Sequence, residues 1–173
     1  MLVGVTTAFS DGRPVTRNPY TLRRGAPDQA NSFTDNDSLV NLRNNIRLVL
    51  PDGYSLHEGT GDDTKFVQIL NGDGSIIAGY ETGLRSGPKV TEDRTSLQKK
   101  YAYLQTIEPS QGIGQTGYQI LLCYNDTEGS FRNAVGKVYL VYPTRYEEVC
   151  SASFGRKRLN ELIQLFSSLS VAQ

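Results

Sequence analysis

The sequence predicts an α+β domain in which a mostly antiparallel β-sheet is covered by a C-terminal amphipathic helix, with an α/β/α sandwich as the layered form of that class. Three features carry the prediction. Apolar, strand-like runs fill residues 118–124, 137–142 and 147–152. Soon after them, Leu159, Leu162, Ile163, Phe166 and Leu169 recur at the i, i+3, i+4, i+7 steps of one helical face. Tight-turn residues separate several strand-like runs, so hairpins rather than long crossovers are expected to link most neighbours.

Taken in order, residues 1–38 read as an irregular N-terminal arm. Pro14, Pro19 and Pro27 are spaced so that neither a helix nor a central strand runs through them. The arm is either a flexible tail or an ordered segment that wraps the domain or a partner through Phe9, Tyr20 and Phe33. Residues 39–173 are expected to form the single α+β domain.

Within it, Ile46, Leu48 and Leu50 alternate with Arg47 and Val49, and Pro51-Asp52-Gly53 ends the run as a turn. A second strand is expected from Tyr54. Runs 65–70 and 75–81 flank Asn71-Gly72-Asp73-Gly74, whose tolerance of positive φ predicts a hairpin. A polar stretch follows, and Thr91-Glu92-Asp93-Arg94 is expected to open a short helix through Lys100. Residues 101–107 read as a strand with alternate aromatic side chains, and the nearly continuous apolar run 118–124 as a central strand. Asn125-Asp126-Thr127-Glu128-Gly129-Ser130 reads as the long loop of a hairpin. The closing helix is expected over 159–171, with Ser151 or Ser153 capping its first turn.

A chain of 173 residues supports one hydrophobic core without disulfide staples. Its 18 basic and 18 acidic residues cancel, which removes the usual electrostatic case for binding nucleic acid or an anionic membrane. No apolar run approaches the roughly 20 residues of a bilayer span, and residues 2–8 are too few for a signal core, so no membrane insertion is expected. The two cysteines, Cys123 and Cys150, fall inside apolar runs. They read as buried free thiols, with a bridge between neighbouring strands as the other reading.

Motifs narrow the chemistry further. Gly112 to Gly117 spell GxGxxG, but Tyr118 opens a strand where a dinucleotide site needs a helix N-terminus. His57 is the single histidine, which excludes a multi-histidine metal site. It stands beside Glu58 and near Asp62, and is the candidate for acid-base chemistry against the plainer reading of a surface residue. Asp62, Asp63, Asn71 and Asp73 offer hard oxygens without the ordered Asp-x-Asp-x-Asp-Gly loop, so no metal or other cofactor is expected. Arg156-Lys157-Arg158 and Lys99-Lys100 read as solvated helix surface. Of the 10 tyrosines, Tyr101, Tyr103, Tyr124, Tyr139 and Tyr142 fall on expected strands and serve either the core or an amphipathic binding surface.

The order of elements resembles the PsbP-like family of small α/β/α sandwich proteins. The likeness rests on Leu50-Pro51-Asp52-Gly53-Tyr54 closing the first strand, and on a last strand leading into helix 159–171 with Ser167-Ser168 near its end. It spans about residues 44–171. It implies an antiparallel sheet with helices on its faces and a non-enzymatic accessory or assembly role exercised through protein contacts. The chain is accordingly expected to be a binding module with a protein partner, for which Tyr20, Phe33 and Tyr80 are candidate contact residues. The alternative is a small-molecule-binding protein or enzyme whose site gathers His57, Glu58, Asp62 and Tyr80.

Overall fold

Apolar alternation and hairpin turns build most of this chain into antiparallel strands, which the computed structural model describes over residues 38–42, 45–61, 64–83, 90–91, 93–110 and 117–172. In chain order the first strands are β1 (Ser38–Asn41), β2 (Ile46–Leu50), β3 (Ser55–Thr60), β4 (Thr64–Leu70) and β5 (Ile76–Gly83). The short β6 (Val90–Thr91) and the helix α1 (Arg94–Lys100) follow. Next come β7 (Tyr103–Ile107), β8 (Gln119–Thr127), β9 (Ser130–Val141) and β10 (Tyr146–Gly155). A 3-10 turn, Arg156–Arg158, leads into α2 (Leu159–Ser167) and β11 (Ser170–Val171). The expected arm, with Phe9, Tyr20 and Phe33, lies outside the described residues apart from Ser38.

Every pairing among these strands is antiparallel. A small sheet has the order β1-β2-β11, and a large one the order β3-β4-β5-β10-β9-β8-β7 with β6 beside β10. Two meanders, β3 to β5 and β7 to β10, therefore meet at a seam where β10 pairs with β5 through Ser151↔Gly79 and Ala152↔Ala78. The expected hairpin at Asn71–Gly74 joins β4 to β5. Its Asn71 side chain accepts the Ser75 N–H at 2.9 Å, and Gly74 takes φ 79°, where a side chain is strained.

The layers follow from β8, whose side chains alternate across the sheet. Ile120, Leu122 and Tyr124 join a large core with Leu162, Leu165 and Phe166 of α2 and with Ile46, Leu48 and Leu50 of β2. Leu121 and Cys123 face the other way and join a smaller core with Leu97 of α1, Tyr101 and Tyr139. The fold is α+β, with α2 and the small sheet on one face of the large sheet and α1 on the other.

Four expectations need correction. The closing helix ends at Ser167 rather than running to residue 171. The Ser168 hydroxyl donates to the Leu165 carbonyl at 2.7 Å and accepts the Val49 N–H at 3.0 Å, and the chain then turns to pair β11 with β2. Leu169 thus reaches the core after the helix has ended. Ser151 and Ser153 cap nothing, because both lie in β10 and α2 starts from the 3-10 turn without a side-chain cap.

The long loop expected at 125–130 is instead a two-residue reversal at Glu128-Gly129, with Gly129 at φ 73°. Asn125 is not a turn residue. Its side-chain oxygen accepts the Ala102 N–H at 2.6 Å and its amide donates to the Lys100 carbonyl at 3.2 Å, so it clamps the end of α1 onto β8. Arg156 is not solvated helix surface either. Its guanidinium lies 4.8 Å from the Tyr103 ring centre and 5.0 Å from that of Tyr124, and 3.2 Å from the Asp126 carboxylate. Arg158 pairs with Asp73 at 2.6 Å, and the Tyr54 hydroxyl donates to Glu161, so the start of α2 is tied to two loops.

Two outcomes follow for stability. Phe166 is fully buried, so Phe166→Ala is expected to lower the unfolding free energy by about 3–5 kcal/mol, read from urea denaturation. Hydrogen bonds from Ser75, then the Arg158 guanidinium, hold the Asp73 carboxyl below its ordinary pKa. A depressed carboxyl contributes stability above its unfolded pKa of about 3.9 and loses it as pH falls through the folded value. Urea midpoints of wild type and Asp73→Asn are therefore expected to differ at neutral pH and to converge in acid below that window.

Candidate functional site

Among the described residues, the outer face of the large sheet is covered only in part. Asp93 starts α1 by accepting the Ser96 N–H at 2.7 Å, and extended backbone at Tyr101 ends it after seven residues. A helix this short covers Leu121, Cys123 and Tyr139 and reaches no further across the described strands. Strand register shows what remains. The partners His57↔Gln68, Gln68↔Gly79, Gly79↔Ser151, Ser151↔Lys137 and Lys137↔Cys123 form one row of side-chain positions across the sheet. Gly79 leaves a dip in the middle of that row, between Gln68 and Ser151.

An open groove of about 790 Å³ lies over β4, β5, β10 and β9. Two β-bulges shape it. Opposite Ile69 and Leu70, β5 carries one residue more than β4, so Ile77 and Ala78 both enter the large core while Ile76 is left on the groove side. In β10 the register shifts between Glu148 and Cys150, which sends Val149 and Cys150 into the core and leaves Glu148 facing the groove. Extra residues of this kind re-aim their neighbours, and they concentrate at sites that need such aiming.

The groove has two unlike ends. At one, Ile76 is 49% exposed and Val135 44%, with Ser153, the register partner of Val135, beside them. These are two of the three large hydrophobic side chains that stand exposed among the described residues. At the other end, Glu81 stands across from Phe66, and the Lys137 ammonium lies 2.7 Å from the nearly buried Glu148 carboxylate. Tyr101 borders this end, next to Tyr139, whose burial, reinforced by a hydrogen bond with Tyr101, pushes its hydroxyl pKa upward. Removing Lys137 would take the ion pair from a carboxylate that is mostly out of water, so the pair is structural. The arrangement offers hydroxyl and amide hydrogen-bonding groups, an apolar end and a charged end.

The residues gathered by sequence reasoning are not brought together. His57 is exposed on β3, on the groove side of the sheet, 6.5 Å from the Phe66 ring. Among the described residues no hydrogen bond or ion pair joins it to a serine, cysteine or carboxylate. Glu58, Val67 and Tyr80 occupy the row that faces the opposite way, and Tyr80 is 9% exposed in the large core. The sheet therefore separates His57 from Glu58 and Tyr80, because successive strand residues point to opposite faces. Asp62, Tyr20 and Phe33 lie outside the described residues, as do positions 112–116 of the GxGxxG run, while Gly117 leads into β8 as expected.

The groove residues Gln68, Ile76, Lys137, Glu148 and Ser151 were missed. One signal was present: Lys137 and Glu148 are charged residues at the starts of strongly apolar runs, a cost that a strand bears only when the charges meet. Among the described residues no group of three or more His, Cys, Asp or Glu side chains could hold a metal ion, and no helix is long and apolar enough to cross a membrane.

No protein-family model matches the chain. No significant similarity joins it to a curated protein, nor to a solved structure.

Neither cysteine is in a disulfide; both are buried, on opposite faces of the sheet, and burial pushes the Cys123 thiol up to about 12. A protonated, covered thiol is a poor nucleophile. Ellman's reagent is expected to leave the native protein unmodified and to titrate 2 thiols once urea has unfolded it.

Proposed function

We propose that this chain is a non-catalytic accessory or binding module that works through protein–protein contacts, and that the open half of the large sheet's outer face is its contact surface. One observation carries the reading: Ile76 and Val135, two of the three large hydrophobic side chains left in water among the described residues, line the same groove beside hydrogen-bonding groups. An apolar patch rimmed by polar groups marks a contact surface more often than it marks a fold defect. The likeness of the element order to PsbP-like proteins implies the same role. The equal counts of acidic and basic residues favour a protein over a nucleic acid as the partner.

The test is capture from the native source with tagged wild-type chain and with the double variant Ile76→Asp, Val135→Asp. Both positions are solvent-exposed, so the variant should fold, which circular dichroism checks. The expected result is one specific protein held at stoichiometric level by the wild type and lost by the variant. Equal retention by both would move the contact surface elsewhere.

A further inference from the structure

The large sheet is two meanders joined along a short seam. The β9–β10 ladder runs from Tyr146↔Val141 to Gly155↔Asn133, and the β4–β5 ladder from Thr64↔Gly83 to Leu70↔Ile76. By contrast, β5 and β10 pair only through Ser151↔Gly79 and Ala152↔Ala78. Beyond Gly79 the two strands no longer pair, and the edge of β10 at Tyr146 and Glu147 is taken by β6 instead. Backbone pairing is therefore extensive within each meander and brief between them.

Side chains hold the β3–β5 meander where the backbone does little. Val67, Ile69, Ile77 and Ala78 join the large core with α2 and β2. Two polar ties flank that contact, and both reach the start of α2. The Tyr54 hydroxyl, one residue before β3, donates to Glu161, and Asp73 in the β4–β5 turn pairs with Arg158 at 2.6 Å. The smaller core on the other face of the sheet takes nothing from this meander among the described residues: Leu97, Tyr101, Leu121, Cys123 and Tyr139 lie on α1, just after it, or on β8 and β9. Detaching β3–β5 thus leaves that core and the β7–β10 ladders whole. Supersecondary units of this kind open cooperatively below the free energy of global unfolding.

We infer that β3, β4 and β5 leave the sheet together at the Gly79–Ser151 seam, with the two ties to α2 as the latch, before the rest of the domain unfolds. The groove straddles this seam. Gln68 and Ile76 come from one meander, and Val135, Lys137, Glu148 and Ser151 from the other, so the opening divides the groove. The face that carries it is complete only while the latch is closed. The opening needs no partner, so an empty capture experiment leaves it standing.

Native-state hydrogen–deuterium exchange of the full chain tests this. The hydrogen-bonded amides of β4 and β5 are expected to share one protection factor, about ten-fold or more below that of β8 and β9. Leu97→Val trims the smaller core, and is expected to speed β8 and β9 about ten-fold while leaving β4 and β5 unchanged; Leu97→Ala is the stronger form of the same test. Tyr54→Phe removes one tie, and is expected to speed β4 and β5 about five-fold. Equal protection of the two meanders in the wild type would overturn the inference. So would acceleration of all four strands by the Leu97 variants, or no response of β4 and β5 to Tyr54→Phe.

Discussion

A strand buried on both faces obliges a protein to build two covering layers, and β8 imposes that demand here. Ile120, Leu121, Leu122, Cys123 and Tyr124 are consecutive and all buried, so alternate side chains need apolar cover above and below the sheet. On one side the cover is ample: α2, β2 and the residues around β11 bring Phe166, Leu165, Leu162, Leu169, Ile46 and Leu48 onto the strands. At about 1.5–3 kcal/mol for each large side chain removed from water, that contact far outweighs the solvent-screened ion pairs at the start of α2. The ion pairs orient the helix; the apolar stripe holds it.

On the other side the cover that the described residues provide is thin. Only Leu97 of α1 is fully buried among that helix's residues, and its partners are Leu121, Cys123, Tyr101 and Tyr139. The clamp of Asn125 on the last turn of α1 keeps this short helix over β8, at the price of leaving β4, β5 and β10 outside its reach. The sheet is wider than the helix that lies on it. The groove is the geometric remainder of that mismatch, and the polar side chains on its floor are those of a surface meant to meet water or a partner.

The two bulges give the remainder its chemical character. Each adds a residue to one strand, sends apolar neighbours to the core, and turns the residue before it outward. Had β10 kept strict alternation, the run from Glu147 to Cys150 would place Glu148 and Cys150 on one face; the bulge separates them, so that the carboxylate meets Lys137 while the thiol is buried. A cluster at the edge of the sheet does complementary work. Arg156, Tyr103, Tyr124 and Asp126 lock the end of β10 and the start of α2 to β7 and β8, which fixes the layer opposite the groove.

The local periodicities of the sequence alone determined the class of fold, the hairpin around Asn71–Gly74, the central run of β8 and the apolar stripe of the last helix, because each depends on spacing within a few residues. The same nearness explains why Cys123 and Cys150 were legible as buried thiols. What tertiary structure decided was everything that depends on which strands become neighbours. The seam of β5 with β10 joins residues more than 70 positions apart, and it alone brings Gly79 beside Ser151 and completes the groove. The exclusion of His57 from Glu58 and Tyr80 came from strand alternation acting across a sheet whose order no local pattern records. Ser168 stopped the helix early because Val49, far away in the chain, offered a partner to its hydroxyl. Spacing along the chain writes the elements, while the groove is written by long-range register, bulges and the width of the sheet relative to the helix that covers it.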